Sequence, residues 1–273
     1  MPSAFNIDVL AQEMRTAQDL VQQIEPFTNR VQGFDLSAAY QVAFRIHHAR
    51  ILEGANPVGR KIGFTNPELW SIYGVREPIW SYVYDTTVTQ IEGLHIKCPI
   101  KGFSEPKIEP EIVFHLCSDL SNNADPEEVV NAIDWVAHGF EMVQSHFPGW
   151  RFEAPDTVAD RALHGTLLLG QSMPLKELGS DPVDVLESIL VDLICDNKLV
   201  ETGMGSNVLG NPITAVAHLV SMLGKQSDHS PLKAGEIVST GTITKAQSVH
   251  VGETWRSEIR GPEIAGLTVE FVN

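Results

Sequence analysis

The spacing of apolar positions changes character along the chain. Near the start it is helical. Ile7, Leu10, Met14 and Leu20 or Val21 follow a 3.6-residue repeat behind Asn6, a capping residue, which predicts a helix over 6–24. A second helix is predicted over 35–53, with Asp35 or Ser37 as cap and Gly54 as stop. Pro26 to Gly33 connects the two. Further on, the period shortens toward two. Short segments rich in Val, Ile, Thr and Phe recur at 79–84, 107–116, 135–145, 189–196, 236–240, 248–251 and 265–272, separated by Gly, Pro, Asn and Asp. Helices interrupt them at 126–134 and 212–224. The expected fold is α+β, with a smaller helical N-terminal domain over 1–80 and a β-rich domain over 81–273.

Composition narrows the classes. The chain has 273 residues, 43% of them hydrophobic, enough for a sizeable core. A net charge of −16 without clustered Lys and Arg excludes nucleic acid as a partner, because phosphate binding needs a basic surface. No apolar run approaches the roughly 18 residues of a membrane span. The opening MPSAFNIDVLAQEMRTAQDL is amphipathic and acidic, unlike a signal peptide. Cys98, Cys117 and Cys195 are far apart and form no CxxC pair, which fits a reduced cytoplasmic protein. The expected partner is a small molecule.

Candidate chemistry lies in Lys107-Ile-Glu109-Pro-Glu111-Ile-Val-Phe-His-Leu116. Side chains two apart in a strand share a face, so Lys107, Glu109 and Glu111 point one way and Ile108, Ile112 and Phe114 the other. Carboxylates about 7 Å apart along a strand can converge on one cation. Pro110 cannot donate to a ladder, which predicts an edge strand or a bulge. A solvated charged face would give the same alternation. Glu141 alters that balance, because it sits in the apolar run Trp135-Val-Ala-His-Gly-Phe-Glu141-Met-Val. A buried carboxylate must be protonated, ion-paired or on a metal. Three carboxylates without Cys or His spacing suit Mg²⁺ or Mn²⁺ rather than zinc.

These stretches also carry a resemblance. Val58-Gly-Arg-Lys61-Ile-Gly-Phe-Thr65, Pro106-Lys-Ile-Glu109-Pro-Glu111-Ile, Ala132-Ile-Asp-Trp-Val with Glu141 beyond it, Asp156-Thr-Val-Ala-Asp160, Val208-Leu-Gly-Asn-Pro212 and Ser239-Thr-Gly-Thr-Ile-Thr244 occur in family order. Together they resemble the 2-keto-4-pentenoate hydratases and 4-oxalocrotonate decarboxylases of aromatic catabolism, within the fumarylacetoacetate hydrolase superfamily. The resemblance implies a β-rich catalytic body, Mg²⁺ or Mn²⁺ on Glu109, Glu111 and Glu141, and a substrate-site lysine at Lys61. It also implies a small 2-oxo or 2-hydroxy-dienoic acid as substrate, and a homo-oligomer able to associate with a related pathway enzyme.

A divalent cation beside a 2-oxo acid polarises its C2 carbonyl, an electron sink that serves hydration and decarboxylation equally. The hydratase reading leads, on the Gly59-Arg-Lys-Ile-Gly segment. The decarboxylase is the alternative, because Pro78-Ile79 stands where hydratases carry Pro-Asp. A third reading, hydrolysis of an acylpyruvate, lacks a His-Glu pair ahead of the metal segment. A reading of another class is a silent partner subunit. Lys61 either binds the substrate carboxylate or shuttles a proton, with burial between Ile62 and Phe64 expected to lower its pKa. Arg161-Ala-Leu-His164 departs from the Asn-Ala-Ser of both groups. His164 is a candidate general acid or base, or a structural histidine. Arg161 is a candidate for the distal end of the substrate, or a partner of Asp156 or Asp160. Ile79 and Thr242 complete the expected substrate contacts. His138 and His146, flanking Glu141, are expected behind the ligands or at the surface.

Overall fold

The computed structural model describes residues 5–73, 75–226 and 228–273. Helix Ile7–Leu20 begins where Asn6 accepts hydrogen bonds from the amides of Asp8 and Val9 at 2.9 and 3.4 Å. It ends earlier than its apolar spacing suggested, at a left-handed Val21, so the buried stripe stops at Ala17 and Gln18 and Leu20 is exposed. Helix Leu36–Leu52 starts on Asp35, which accepts from the Ala38 amide at 2.9 Å. These two helices and helix Ala154–Ala159 pack around Phe27, Phe34 and Phe147.

The strands are β1 Pro57–Gly63, β2 Ile79–Tyr84, β3 Val88–Gln90, β4 His95–Pro99, β5 Lys107–Leu116, β6 Ile133–Val143, β7 His164–Pro174, β8 Leu190–Cys195, β9 Lys198–Met204, β10 Ile237–Thr242, β11 Gln247–Ser248, β12 Thr254–Arg260 and β13 Thr268–Val272. The larger sheet has the order β2-β1-β10-β5-β6-β7-β3, with β11 also on β5. The smaller runs β4-β13-β12-β8-β9. One face of the larger sheet buries Ile112, Phe114 and Val136 under helices Pro126–Ala132, Pro182–Ser188 and Pro212–Gly224. The same face presents Ile108, Phe140 and Met142 to Leu193, Trp255 and Phe271 of the smaller sheet. The opposite face carries the glutamates.

Strand β5 is interior, so the edge-strand alternative for Pro110 is corrected, and the irregularity lies in the neighbouring strand β10. The carbonyl of Pro110 accepts from the Ile243 amide at 3.0 Å, on the β10 side. There the register jumps between Ser239 and Thr242, and the missing proline N–H leaves no gap in a regular ladder. Strand β1 was not expected, because Gly59, Arg60, Lys61 and Gly63 break the apolar pattern. Gly59 is required by contact: a Cβ there would lie 2.0 Å from the Ile237 carbonyl oxygen of β10.

Arg60 is buried, 3.8 Å over the Tyr82 ring and 3.2 Å from Glu236. His47 stacks on Tyr82 and His229 stands edge-on to Trp80 in the same cluster. Burial, then the Arg60 charge, lowers both histidines to about 4. An unfolded histidine titrates near 6.5. As pH falls from about 6.5 to 4, the unfolded chain therefore takes up protons that the folded chain refuses, and stability falls. Urea midpoints are expected to drop between pH 7 and 5, and His229→Gln to flatten that slope; an unchanged slope would refute the assignment.

Candidate metal centre

Strands β5 and β6 pair in a register that sets Glu109 directly opposite Glu141 and Glu111 opposite Gly139. Opposed residues share a face, so the three carboxylates gather on one side of the sheet. One oxygen of each lies within 4.8 Å of the other two. Glu111 and Glu141 are fully buried and Glu109 is half-buried. Like charges placed opposite one another are destabilising, and burial sharpens the cost.

The surroundings anchor some oxygens and leave others open. Glu111 Oε2 accepts from Ser239 Oγ at 2.5 Å and from the Gly241 amide at 3.1 Å. Its Oε1 is buried with no hydrogen-bond partner among the described residues. Gly241 has φ +97°, and a Cβ would lie 1.9 Å from Thr65 Oγ1, so only glycine can present that amide here. Glu141 Oε1 accepts from His164 Nδ1 at 2.7 Å, while Oε2 lies 2.9 Å from Lys61 Nζ, outside hydrogen-bond angles. Lys61 Nζ donates to the Ala162 carbonyl at 3.0 Å.

Positive charge is short here. Burial pushes Glu109 up to about 7 against the pull of Lys61. Burial and then Glu141 push Glu111 well above the carboxylate range. Burial also acts on Glu141, but Lys61 and His164 outweigh it and hold that carboxyl at about 2. For Lys61 the expected lowering is corrected: burial does push it down, but Glu141, Glu111 and Glu109 together outweigh burial and raise it. Oxygen-only donors with an unpartnered buried oxygen and surplus negative charge fit a hard divalent cation held by Glu109, Glu111 and Glu141.

A narrow cavity opens on this group, lined by Lys61, Ile79, Glu109, Glu111 and Thr242. Thr65 and Trp150 line it too and were missed from sequence. Thr65 carries a signal, since it closes the 58–65 stretch that bears Lys61; Trp150 carries none. Ser239, which opens the 239–244 stretch, anchors Glu111. His164 lies behind Glu141, with Nε2 2.9 Å from Thr87 Oγ1, and does not line the cavity. Burial lowers its pKa, opposed by the Glu141 bond. Arg161 does not line the cavity either, and makes no ion pair with Asp156 or Asp160: Asp160 takes His146 at 2.9 Å and Asp156 takes Thr28 at 2.6 Å. His138 is buried, bonded to the Glu111 carbonyl at 3.0 Å and Ser257 Oγ at 2.8 Å. Both His138 and His146 are interior, not at the surface.

A family model described as fumarylacetoacetate (FAA) hydrolase C-terminal matches residues 74–270. The chain belongs to that family. Within it, the 2-keto-4-pentenoate hydratase of Paraburkholderia xenovorans (strain LB400) is 31% identical over 265 residues, 96% of this chain and 93% of that one. The 4-oxalocrotonate decarboxylase of Pseudomonas putida is 28% identical over 264 residues, 96% of each chain. The structure of the 4-oxalocrotonate decarboxylase from Pseudomonas putida G7, complexed with magnesium and adipate, matches with a TM-score of 0.88 at 25% identity, over 99% of this chain and 100% of that one. Among the described residues of this family member no helix is long and apolar enough to cross a membrane.

A partner that fixes a ligand carboxylate tunes metal affinity without touching substrate. His164→Gln is expected to weaken Mg²⁺ binding by about 10–100-fold, with turnover restored at high Mg²⁺. Unchanged affinity by calorimetry would show that His164 does not position Glu141.

Proposed function

We propose that this chain is a divalent-metal-dependent lyase of small 2-oxo and 2-hydroxy-dienoic acids, a hydratase of the 2-keto-4-pentenoate type, with Mg²⁺ or Mn²⁺ held by Glu109, Glu111 and Glu141. The observation that carries this reading is the convergence of three carboxylates and a buried lysine beside one cavity, which Lys61, Glu109 and Glu111 line. When bound, the cation supplies Lewis-acid polarisation of the substrate's C2 oxygen.

The protein's own groups divide the remaining work. Lys61 has three donors; Glu141 and the Ala162 carbonyl face two of them, leaving one for the substrate. Kept charged by the glutamates, it is a donor, to the substrate carboxylate or to carbon, rather than a base. In hydration the 2-hydroxydiene loses its hydroxyl proton and takes one at C5 to give the conjugated ketone, and water then adds its oxygen at C4 while a proton goes to C3. Thr65 Oγ1 is buried, lines the cavity and has no hydrogen-bond partner among the described residues, which suits it to hold that water or a substrate oxygen. Thr242 Oγ1 already donates to the Thr244 carbonyl at 2.7 Å and is left as an acceptor. His164 positions Glu141.

One observation favours a second reading. Ile79 forms an apolar wall where a water-directing group would serve hydration, and an apolar wall suits loss of a carboxylate as CO₂. The test is chemical. Incubation of 2-hydroxypenta-2,4-dienoate with enzyme and Mg²⁺ is expected to abolish the dienoate absorbance. No loss there, with CO₂ released from 2-oxohex-3-enedioate, decides for the decarboxylase; neither reaction overturns the lyase reading. The same proposal has the enzyme cytoplasmic and homo-oligomeric, able to associate with a related pathway enzyme. Exposed Leu199, Val200 and Met204 on edge strand β9 offer apolar surface for assembly.

A further inference from the structure

Arg161 lines a second cavity, of about 400 Å³, together with Gln18, Asp19, Arg50, Glu53 and Tyr84. The two guanidinium groups there are not equivalent. Arg50 is 2.6 Å from Asp19 Oδ1 and 3.1 Å from Glu53 Oε2. Glu53 also pairs with Arg15 at 3.1 Å, so both acids facing the cavity are engaged. Arg161 has no ion pair among the described residues. Its one hydrogen bond runs from Nη2 to the His164 carbonyl at 3.4 Å, and its Nε is buried without a partner. A partly buried guanidinium left unpaired beside another is electrostatically costly, and burial with the Arg50 charge lowers the Arg161 pKa. The planar fork of arginine matches an oxyanion with two parallel hydrogen bonds.

The backbone holds Arg161 in this direction at a cost. Arg161, Ala162 and Leu163 have φ of 52°, 51° and 64°, three successive non-glycine residues in the left-handed region. Such residues cost on the order of 1–2 kcal/mol each. The turn is fixed by Leu163 N to Asp160 O at 2.8 Å and Gln144 N to Leu163 O at 2.9 Å. It aims Arg161 into the second cavity and the next carbonyl, that of Ala162, at Lys61.

We propose that this cavity is a binding site for a small oxyanion, a carboxylate or phosphate group, held by Arg161 with Arg50 and separate from the catalytic cavity. The test is calorimetric titration of inorganic phosphate and of succinate into EDTA-treated full-length protein, which leaves no divalent cation to hold a probe at the glutamates. Saturable binding of at least one probe is expected, and which one binds tells a phosphate site from a carboxylate site. Arg161→Gln is expected to weaken it by about tenfold or more, as loss of a charge-assisted pair does. Arg50→Gln is expected to weaken it as well. Arg50 lies on helix Leu36–Leu52 and lines only the second cavity, so it separates the two sites and serves if the Arg161 variant does not fold. Binding of neither probe, or wild-type affinity in a folded Arg161 or Arg50 variant, would overturn the proposal.

Discussion

Glu141→Gln is expected to lower turnover by about 10³-fold or more, the scale on which a single preorganised electrostatic group is felt. It is also expected to destabilise the protein by about 3–5 kcal/mol, because breaking a buried pair strands the surviving charge. That charge is Lys61, which is buried and 2.9 Å from Glu141 Oε2. His164 loses its carboxylate as well. Glu109→Gln supplies the contrast. Glu109 is half-buried, and the like charge of Glu141 faces it across the strand pair. Its loss should remove metal binding and activity yet stabilise the metal-free protein. The folded carboxyl titrates near 7 instead of the ordinary 4.5, so its charge costs stability as pH rises through that window, and the gain should be largest above pH 7. Urea midpoints at pH 8 and Mg²⁺-dependent turnover measure both. Equal destabilisation by the two substitutions would contradict the assigned contacts.

Lys61→Met is expected to reduce kcat by about 10²–10⁴-fold, the usual worth of a positioned proton donor. Metal binding should behave differently. The ammonium competes with any cation for Glu141, Glu111 and Glu109, whose charges raise its pKa. Without it the site should hold Mg²⁺ as tightly as the wild type or more so. Calorimetry beside steady-state kinetics reads the split. Loss of metal affinity in step with turnover would mean that Lys61 supports the site and does not act on substrate.

Local rules made part of this site legible in the chain. Alternation over 107–116 put Glu109 and Glu111 on one face because the strand period acts within a few residues. An apolar run marked Glu141 as buried for the same reason. Helix starts at Asn6 and Asp35 were readable because a cap is satisfied two or three residues away. What was not legible depends on distant partners. Lys61 sits on a strand with two glycines and two charges, which becomes a strand only because Ser239 of β10 and Ser81 of β2 pair with it. Its raised pKa follows from three carboxylates brought in from other strands, where sequence neighbours suggested only desolvation. The direction of Arg161 rests on three left-handed residues with no glycine to mark them. Pro110 was compatible with an edge or a bulge, and only the register of β10 decides.

The most direct measurement is crystallographic. Crystals soaked in Mn²⁺ and collected at the manganese absorption edge should show one strong anomalous peak per chain, in contact with carboxylate oxygens of Glu109, Glu111 and Glu141 and absent from Glu111→Gln crystals. No peak among these three residues, or an undiminished one in the variant, would contradict the three-carboxylate metal centre.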